Sequence, residues 1–402
     1  MKGRYIAIVW SLWFAFAICG RAQPTGCNAP LPSPAINVPL PGRPFMTAIT
    51  PDGCWVFAGL LGGDNTQTKG LAVLRRSGGR VELARTVPVE GGMGGLVLSH
   101  DGKLLIGTDG KGVVLMDIGR LTGGTRDPVI GSVDDGPDAG SVYTNVTRDD
   151  KLLFVSDESA AAITVIDLAK ARSSGGGAGA VAGKIPVGIA PIALSFSPDE
   201  RWLYTTSEGA PLDWGWPAVC DPENPNAKGP KHPEGAVIVV DVERSRNDPA
   251  HAVAARVPAG CSPVRLALAP AGDRAYVTAR KSNAVLVFDT AALRADAPHA
   301  LLGTVPVGTA PVPVLVIEGG KKVLAGNSNR FGTDPSAPQT LSVVDTARIG
   351  SGAEAVMGTI ASGAFPRDLR LTPDGRTLIV ANWGSGALQL MDAARLRVER
   401  GR

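Results

Sequence analysis

Residues 358–393 read GTIASGAFPRDLRLTPDGRTLIVANWGSGALQLMDA, four short apolar segments separated by turn signals. The first segment ends near Gly363, the second at the Pro-Asp-Gly turn 373–375, the third at Asn382 and the fourth at Asp392. Apolar runs joined by Asp-Gly turns are typical of antiparallel strands, because glycine tolerates the positive φ that such turns require. This stretch therefore predicts a unit of four antiparallel strands.

The same unit occurs seven times along the chain. Its turn glycine or the equivalent residue lies at Gly53, Gly102, Asp150, Glu200, Gly272, Gly320 and Gly375. Successive turns are 48 to 50 residues apart in four of the six intervals, and 72 and 55 residues apart in the other two. Six of the seven fourth segments end in Asp, which we interpret as a turn residue and not as a catalytic group. Units of four strands repeated at this period predict an all-β fold, a β-propeller.

The two ends of the repeat array complement each other. The last unit lacks its Pro-Val-Gly strand, and an additional copy of that strand, INVPLPGRP, precedes the first unit at residues 36–44. We therefore expect the N-terminal strand to join the C-terminal blade and close a ring of seven blades. The predicted propeller domain covers residues 34–402 and follows an N-terminal segment, residues 23–33.

The third segments contain LYTT at Leu203, YVTA at Tyr276 and IVAN at Ile379. With these motifs the units resemble those of the YVTN-repeat family of secreted bacterial seven-bladed propellers, over nearly the whole chain after its first residues. The resemblance implies the fold, whereas members of this family have varied roles. More distantly, the architecture resembles propeller lactonases.

Residues 1–22 have the features of a secretory signal peptide. Lys2 and Arg4 precede the apolar run IAIVWSLWFAFAIC, and Gly20 and Ala22 fit a cleavage site. The sequence therefore predicts a secreted, periplasmic protein, and it contains no later run long enough for a transmembrane helix. Removing the leader leaves equal numbers of basic and acidic residues. This balance disfavours nucleic acid as a partner.

Loop positions follow from the antiparallel order of each blade. We call the face with the Pro-Asp-Gly turns the bottom face and the opposite one the top face. The insertion APLDWGWPAVCDPENPNAKGPKHPEG, residues 210–235, and a shorter one at residues 327–339 explain the two long intervals and belong to top loops.

The cysteines that follow the leader can pair in three ways. Cys27 and Cys54 are expected at the bottom of adjacent blades, and Cys220 and Cys261 at the top of adjacent blades. Only the pairs 27–54 and 220–261 keep each bond on one face. We therefore predict these two disulfides, which a secreted protein can retain.

Candidate binding residues are expected at the top, where the inner strands and the loops converge. They comprise polar residues at strand ends, arginines at the Pro-Val-Gly corners and aromatic residues of the loops. The predicted ligand-binding residues are Arg43, Asp109, Asp157, Glu208, Trp214, Trp216, Arg265, Arg280, Asn327, Arg330, Arg367, Asn382 and Trp383. For Trp214 and Trp216 the alternative is that they only pack the long loop onto the rim.

Two functions are compatible with these residues. The sequence favours a monomeric, non-catalytic scaffold that binds a protein, a peptide, a glycan or another small molecule, without a metal or cofactor. The usual catalytic motifs are absent, and of the four histidines only His232 is expected on the top face. The alternative is a lactonase-type hydrolase that holds a divalent cation at the central channel through Asp109, Asp157, Glu208, Asn327 and Asn382.

Overall fold

A computed structural model of the chain describes residues 26–62, 67–222, 228–332, 334, 337 and 339–400. The predicted signal peptide, residues 1–22, lies outside the described residues. The structure is a ring of seven four-stranded antiparallel sheets, so the predicted seven-bladed β-propeller is confirmed. Within the described residues, no helix is long and apolar enough to span a membrane.

The first strand and blades 1 to 3 follow the predicted order, from an inner strand to an outer strand in each blade. Strand β1 is Ala35–Pro39. Blade 1 contains β2 (Arg43–Ile49), β3 (Trp55–Leu61), β4 (Gly70–Ser77) and β5 (Arg80–Pro88). Blade 2 contains β6 (Leu96–Leu98), β7 (Leu104–Thr108), β8 (Gly112–Asp117) and β9 (Val129–Asp134). Blade 3 contains β10 (Ser141–Val146), β11 (Leu152–Asp157), β12 (Ala162–Asp167) and β13 (Val181–Pro186).

Blades 4 to 7 repeat this arrangement, and blade 4 carries an additional hairpin in its top loop. Blade 4 contains β14 (Ile189–Phe196), β15 (Trp202–Gly209), the hairpin β16 (Ala218–Cys220) and β17 (His232–Pro233), β18 (Ala236–Asp241) and β19 (Val253–Pro258). Blade 5 contains β20 (Pro263–Leu268), β21 (Arg274–Ala279), β22 (Ala284–Asp289) and β23 (Leu301–Pro306). Blade 6 contains β24 (Pro311–Ile317), β25 (Lys322–Asn327), β26 (Gln339–Asp345) and β27 (Val356–Ser362). Blade 7 contains β28 (Pro366–Leu371), β29 (Thr377–Asn382) and β30 (Ala387–Asp392), and β1 is its outer strand.

The ring closes as the sequence predicts. Strand β1 pairs antiparallel with β30, with Ile36 opposite Leu390 and Val38 opposite Leu388. A buried apolar cluster fills the space between blades 7 and 1, where Leu390 and Leu60 are fully buried. Similar clusters lie between the other neighbouring blades. Since each cluster takes side chains from two sheets, no blade has a complete core of its own.

The bottom turns show why the repeats tolerate different residues. Gly53, Gly102 and Gly375 have φ of +71°, +69° and +69°, and Asp150 and Glu200 adopt φ of +52° and +56° at the equivalent position. The left-handed conformation is therefore a property of the turn, and glycine is its usual occupant.

The aspartates that end the fourth segments are caps of helices and helical turns. Short helices follow in four blades, α1 (Ile118–Thr122), α2 (Leu168–Ser174), α3 (Val242–Asn247) and α4 (Thr290–Ala295). In each case the carboxylate of the preceding aspartate accepts a hydrogen bond from a backbone N–H of the first turn, as Asp289 does from Ala292. Asp345 and Asp392 cap 3₁₀ turns in the same way. A capping role explains why this residue type is repeated.

Both predicted disulfides are present. Cys27 bonds Cys54, which ties the segment before β1 to the first bottom turn. Cys220 bonds Cys261 and fastens the hairpin of the blade 4 insertion to the top corner that enters blade 5.

Candidate functional site

Five side chains near the top of the axis form what we call the arginine–aromatic cluster: Arg43, Phe45, Phe365, Arg367 and Trp383. The Arg43 guanidinium carbon lies 4.2 Å from the centre of the Trp383 ring, whose centroid is 5.3 Å from that of Phe365. The Arg367 guanidinium carbon lies 4.0 Å from the centre of Phe45 and 5.5 Å from that of Phe365. At these distances a guanidinium is attracted to the negative face of an aromatic ring. Each arginine of the cluster is thus in contact with at least one ring.

The backbone at Phe365 is unusual for a bulky residue. Its φ is +50°, and the equivalent residues before the inner-strand proline in blades 4, 5 and 6 are Ala190, Ser262 and Ala310, with φ of +49°, +53° and +50°. The corner before the inner strand requires the left-handed conformation, and the other three units have small side chains at this position. A large side chain is disfavoured there, and such strain concentrates at functional sites.

The cluster has an excess of positive charge. The Nε of Arg367 is buried without a hydrogen-bond partner, and this residue forms no ion pair with any part of the chain that the structure describes. Burial, together with smaller contributions from the nearby Arg265, Arg330 and Arg280, lowers the pKa of Arg367 to about 9, while Glu158 acts in the opposite direction. The guanidinium stays charged at neutral pH. The top of the axis is therefore suited to an anionic group.

Below the cluster, an apolar layer separates the top face from the central channel. Ile192, Val264, Val312 and Phe365 pack together and are each at most 8 % exposed. Beneath them lies a cavity of about 430 Å³, lined by residues of the seven inner strands and by Pro373 of a bottom turn. The channel is thus closed at the top and reached from the bottom face, where the sequence predicted no site residue.

Side chains of four inner strands meet in this cavity. Asp368 accepts hydrogen bonds from the backbone N–H and the hydroxyl of Thr47, at 2.9 and 2.8 Å, and pairs with Nε of Arg370 at 3.5 Å. Arg265, only 6 % exposed, has its guanidinium carbon 4.5 Å from the centre of the Tyr143 ring. Register shifts between Pro366 and Asp368 and between Pro263 and Arg265 mark bulges near the tops of these strands. Bulges re-aim side chains, so neighbouring residues such as Arg367 and Asp368 serve different sites.

Three of the predicted site residues are engaged in hydrogen bonds within their own blade or with the neighbouring blade. Asp109 accepts hydrogen bonds from the N–H groups of residues 111 and 112, both at 3.0 Å, and closes a turn. Asn327 donates to the hydroxyls of Thr340 and Ser342, at 2.9 and 3.1 Å. Asn382 accepts from the hydroxyl of Ser362 at 2.9 Å. These contacts organise the loops and strands around them.

Asp157 belongs to a separate buried cluster beside Asp135. The Ser141 hydroxyl lies 3.1 Å from a carboxylate oxygen of each aspartate, and Lys184 Nζ lies 3.3 Å from Asp157. The Thr164 hydroxyl donates to the other oxygen of Asp157. Burial raises the pKa of Asp135 to about 8, and the adjacent Asp157 carboxylate contributes to the rise. The two carboxyl groups therefore hold a proton at neutral pH.

Glu208 and Arg280 form an ion pair between blades 4 and 5. The Arg280 guanidinium donates to Glu208 at 2.7 Å, and Arg280 is 3 % exposed. Arg330 is exposed, with its guanidinium carbon 5.5 Å from the centre of the Phe331 ring. Although they do not belong to the cluster, Arg280 and Arg330 still contribute to the positive potential at Arg367.

Trp214 and Trp216 lie at the rim. Their ring centroids are 5.2 Å apart in an edge-to-face arrangement, and both pack against the apolar core between blades 3 and 4. The guanidinium carbon of Arg256, on the outer strand β19, lies 5.0 Å from the centre of the Trp214 ring. These contacts correspond to the packing alternative for this pair.

The five residues proposed as cation ligands occupy separate environments: a turn, a carboxyl pair, an ion pair and two side-chain networks. Over the described ranges, no three His, Cys, Asp or Glu residues group in a way that could hold a metal ion. The hydrolase alternative stays a prediction.

Sequence reasoning missed four residues that shape the axis: Phe45, Tyr143, Phe365 and Arg370. A signal for Phe365 was present, since the equivalent residues Ala190, Ser262 and Ala310 are small. Tyr143 and Arg370 lie within inner strands, and only the paired structure shows that they meet in the channel.

Comparisons with known proteins describe the fold. No protein-family model and no curated protein sequence matches the chain. Among solved structures, the chain is similar to a chain of hydrazine synthase from Kuenenia stuttgartiensis, with a TM-score of 0.65 and 16 % sequence identity, over 89 % of this chain and 97 % of that chain. At this identity the likeness shows a shared propeller fold alone.

Proposed function

We propose that this protein is a non-catalytic binding scaffold whose arginine–aromatic cluster takes a partner or ligand that carries an acidic group beside an aromatic or apolar group. The observation that carries the proposal is Arg367, whose buried Nε has no partner although the guanidinium lies 4.0 Å from the Phe45 ring. Leaving a buried donor unsatisfied is costly, and an anion would satisfy it. Aromatic anchors beside arginine are frequent in strong binding sites.

The rigid surroundings support this function. Phe45 and Phe365 are 3 % and 8 % exposed, so the arginines rest on rings that the propeller core holds in place. A site that is ordered before binding loses little conformational entropy when the ligand arrives. The strained backbone at Phe365 has a rationale in this context. A smaller side chain would reduce the backbone strain at this corner but would remove the aromatic ring from the cluster.

The test uses fluorescently labelled short peptides that contain glutamate next to tryptophan, with glutamine-containing counterparts as neutral controls. We expect fluorescence polarisation to show saturable binding of the acidic peptides. Their affinity should fall about tenfold or more in Arg367→Gln and in Trp383→Ala, a typical cost for an interface anchor. The rim variants Arg256→Gln and Trp214→Ala are matched controls and should bind as the unaltered protein does.

The proposal fails if no acidic peptide binds, or if the rim variants lose as much affinity as the cluster variants. A lactone-hydrolysis assay with and without divalent cations runs in parallel. Metal-dependent hydrolysis that is lost in Asp157→Ala would favour the hydrolase instead.

We also infer that the chain is exported and works in an oxidising compartment such as the periplasm. Two disulfides are compatible with such a compartment, and the leader-like residues 1–22 motivate the inference. N-terminal sequencing of the protein recovered from the periplasm should begin at Gln23. Recovery only from the cytoplasm with Met1 retained would refute export.

A further inference from the structure

The axial cavity combines a charged end with apolar walls. Arg265 and Asp368 come two residues after the prolines that begin their inner strands, Pro263 and Pro366, so they lie toward the end that the apolar layer closes. Toward the bottom opening, the lining residues include the half-buried Leu98, Leu315 and Leu371. The volume of about 430 Å³ is that of an ordinary small-molecule site.

The charges at the closed end do not balance. Two guanidinium groups, of Arg265 and Arg370, face one carboxylate, that of Asp368. Asp368 is already engaged by Thr47 and by Arg370. Within the described part of the chain, Arg265 forms no ion pair; burial lowers its pKa, and the Tyr143 side chain and the Asp368 carboxylate act in the opposite direction. Two guanidinium groups that share one carboxylate leave an excess positive charge, which is costly away from water, so the cavity is suited to one additional negative charge.

The donors that are already engaged restrict what kind of anion fits. The Asn145 amide donates to the carbonyl of Leu194 at 3.0 Å, and the Ser195 hydroxyl donates to the carbonyl of Leu266 at 3.0 Å. An oxyanion such as phosphate needs donors around its whole surface, and here the donors lie on the arginine side only. A carboxylate can be bound by two parallel N–H donors on one side, and a planar guanidinium provides such a pair.

We propose that the axial cavity is a binding site for a small organic carboxylate, with its carboxylate group on Arg265 and Arg370 and its apolar body along the leucines toward the bottom opening. This site lies beneath the apolar layer and is reached from the face opposite the arginine–aromatic cluster. It does not depend on the function proposed for the top face.

The test is isothermal titration calorimetry of the full mature chain at low ionic strength with hexanoate. Hexanamide, which has the same body without the charge, and inorganic phosphate, which has the charge without the body, are the comparison ligands. We expect saturable binding of hexanoate, with an affinity at least ten times that for either comparison ligand. Arg265→Gln should reduce the affinity for hexanoate at least tenfold, and Arg256→Gln on the outer rim should leave it unchanged.

Because Arg265 is buried, its replacement can also perturb the fold. Arg370→Gln is therefore the second variant, since the Arg370 side chain is 38 % exposed, and it should weaken hexanoate binding severalfold while the circular dichroism spectrum stays unchanged. The proposal is overturned if hexanoate does not bind, if hexanamide binds equally well, or if phosphate binds as tightly. It is also overturned if both variants, shown to be folded, bind hexanoate like the unaltered protein.

Discussion

Removing the Cys27–Cys54 disulfide should weaken the seam of the ring, by which we mean the junction where β1 pairs with β30 and joins blade 7 to blade 1. This bond holds the segment before β1 on blade 1, while β1 itself completes blade 7, so the covalent link crosses from the last blade to the first. The bond closes a loop with a sequence separation of 27 residues. In the chain-entropy description, closing a loop of this size lowers the entropy of the unfolded chain by about 12 cal/mol/K, which is about 3.5 kcal/mol at 25 °C. We expect the double variant Cys27→Ala/Cys54→Ala to lose about that much free energy of unfolding.

The assay is guanidinium denaturation combined with amide hydrogen exchange. Besides the lower midpoint, exchange should accelerate in β1 and β30, because their pairing is then held only by hydrogen bonds and by the core between blades 7 and 1. The matched control is Cys220→Ala/Cys261→Ala, whose loop has a separation of 41 residues and an expected loss of about 4 kcal/mol, without faster exchange in β1. A loss below about 1 kcal/mol for the seam variant, or exchange in β1 as slow as before, would refute the reasoning.

Three further predictions concern single residues. The free energy of unfolding should fall as the pH rises from about 4 through 8, because Asp135 has a raised pKa of about 8 in the folded protein and an ordinary one when unfolded. In urea titrations at several pH values, Asp135→Asn should flatten this decline, and an unchanged slope would contradict the role of Asp135. Asp289→Ala removes the cap of α4 and should cost about 1 kcal/mol, with a smaller loss in Asp289→Asn, whereas equal losses would contradict a capping role. Phe154→Ala empties a fully buried position in edge contact with Phe196 and should cost about 3–5 kcal/mol in chemical denaturation; a loss under about 1 kcal/mol would show that the neighbouring blades collapse into the space.

The ring could be predicted because its signals are local and repeated. Asp-Gly turns, the apolar segments between them and the additional strand at residues 36–44 indicate the number of blades and the pairing of β1 with β30. The disulfides followed from the same topology, since the blade order determines which cysteines share a face. These inferences needed the order of the strands and no knowledge of where any side chain points.

The residues at the axis were harder to predict, because position along a strand does not determine which site a side chain reaches. Arg265 and Arg367 both come from Pro-Val-Gly corners, yet one lines the channel and the other contacts Phe45 above it. Both β20 and β28 have a bulge after the first proline, but Arg367 lies within the bulge of β28 whereas Arg265 follows the bulge of β20, so the two side chains reach different sites. Likewise, Asn327 and Asn382 end their strands as expected and are engaged by hydroxyl groups of neighbouring strands that the sequence alone does not pair with them.

The pairing of β1 with β30 also has a consequence for the order of assembly. The first strand of the propeller is synthesised long before its partner, which lies more than 300 residues further along the chain. Closing so long a loop is entropically unfavourable until the intervening blades are ordered, so the last blade is expected to form last. Until then the ring is open, and the free edge of β30 is a template to which another chain can add a strand. The step from an open to a closed ring is therefore where this fold is most prone to aggregation. The yield of folded protein should fall as the protein concentration during folding rises, because open rings then pair with one another.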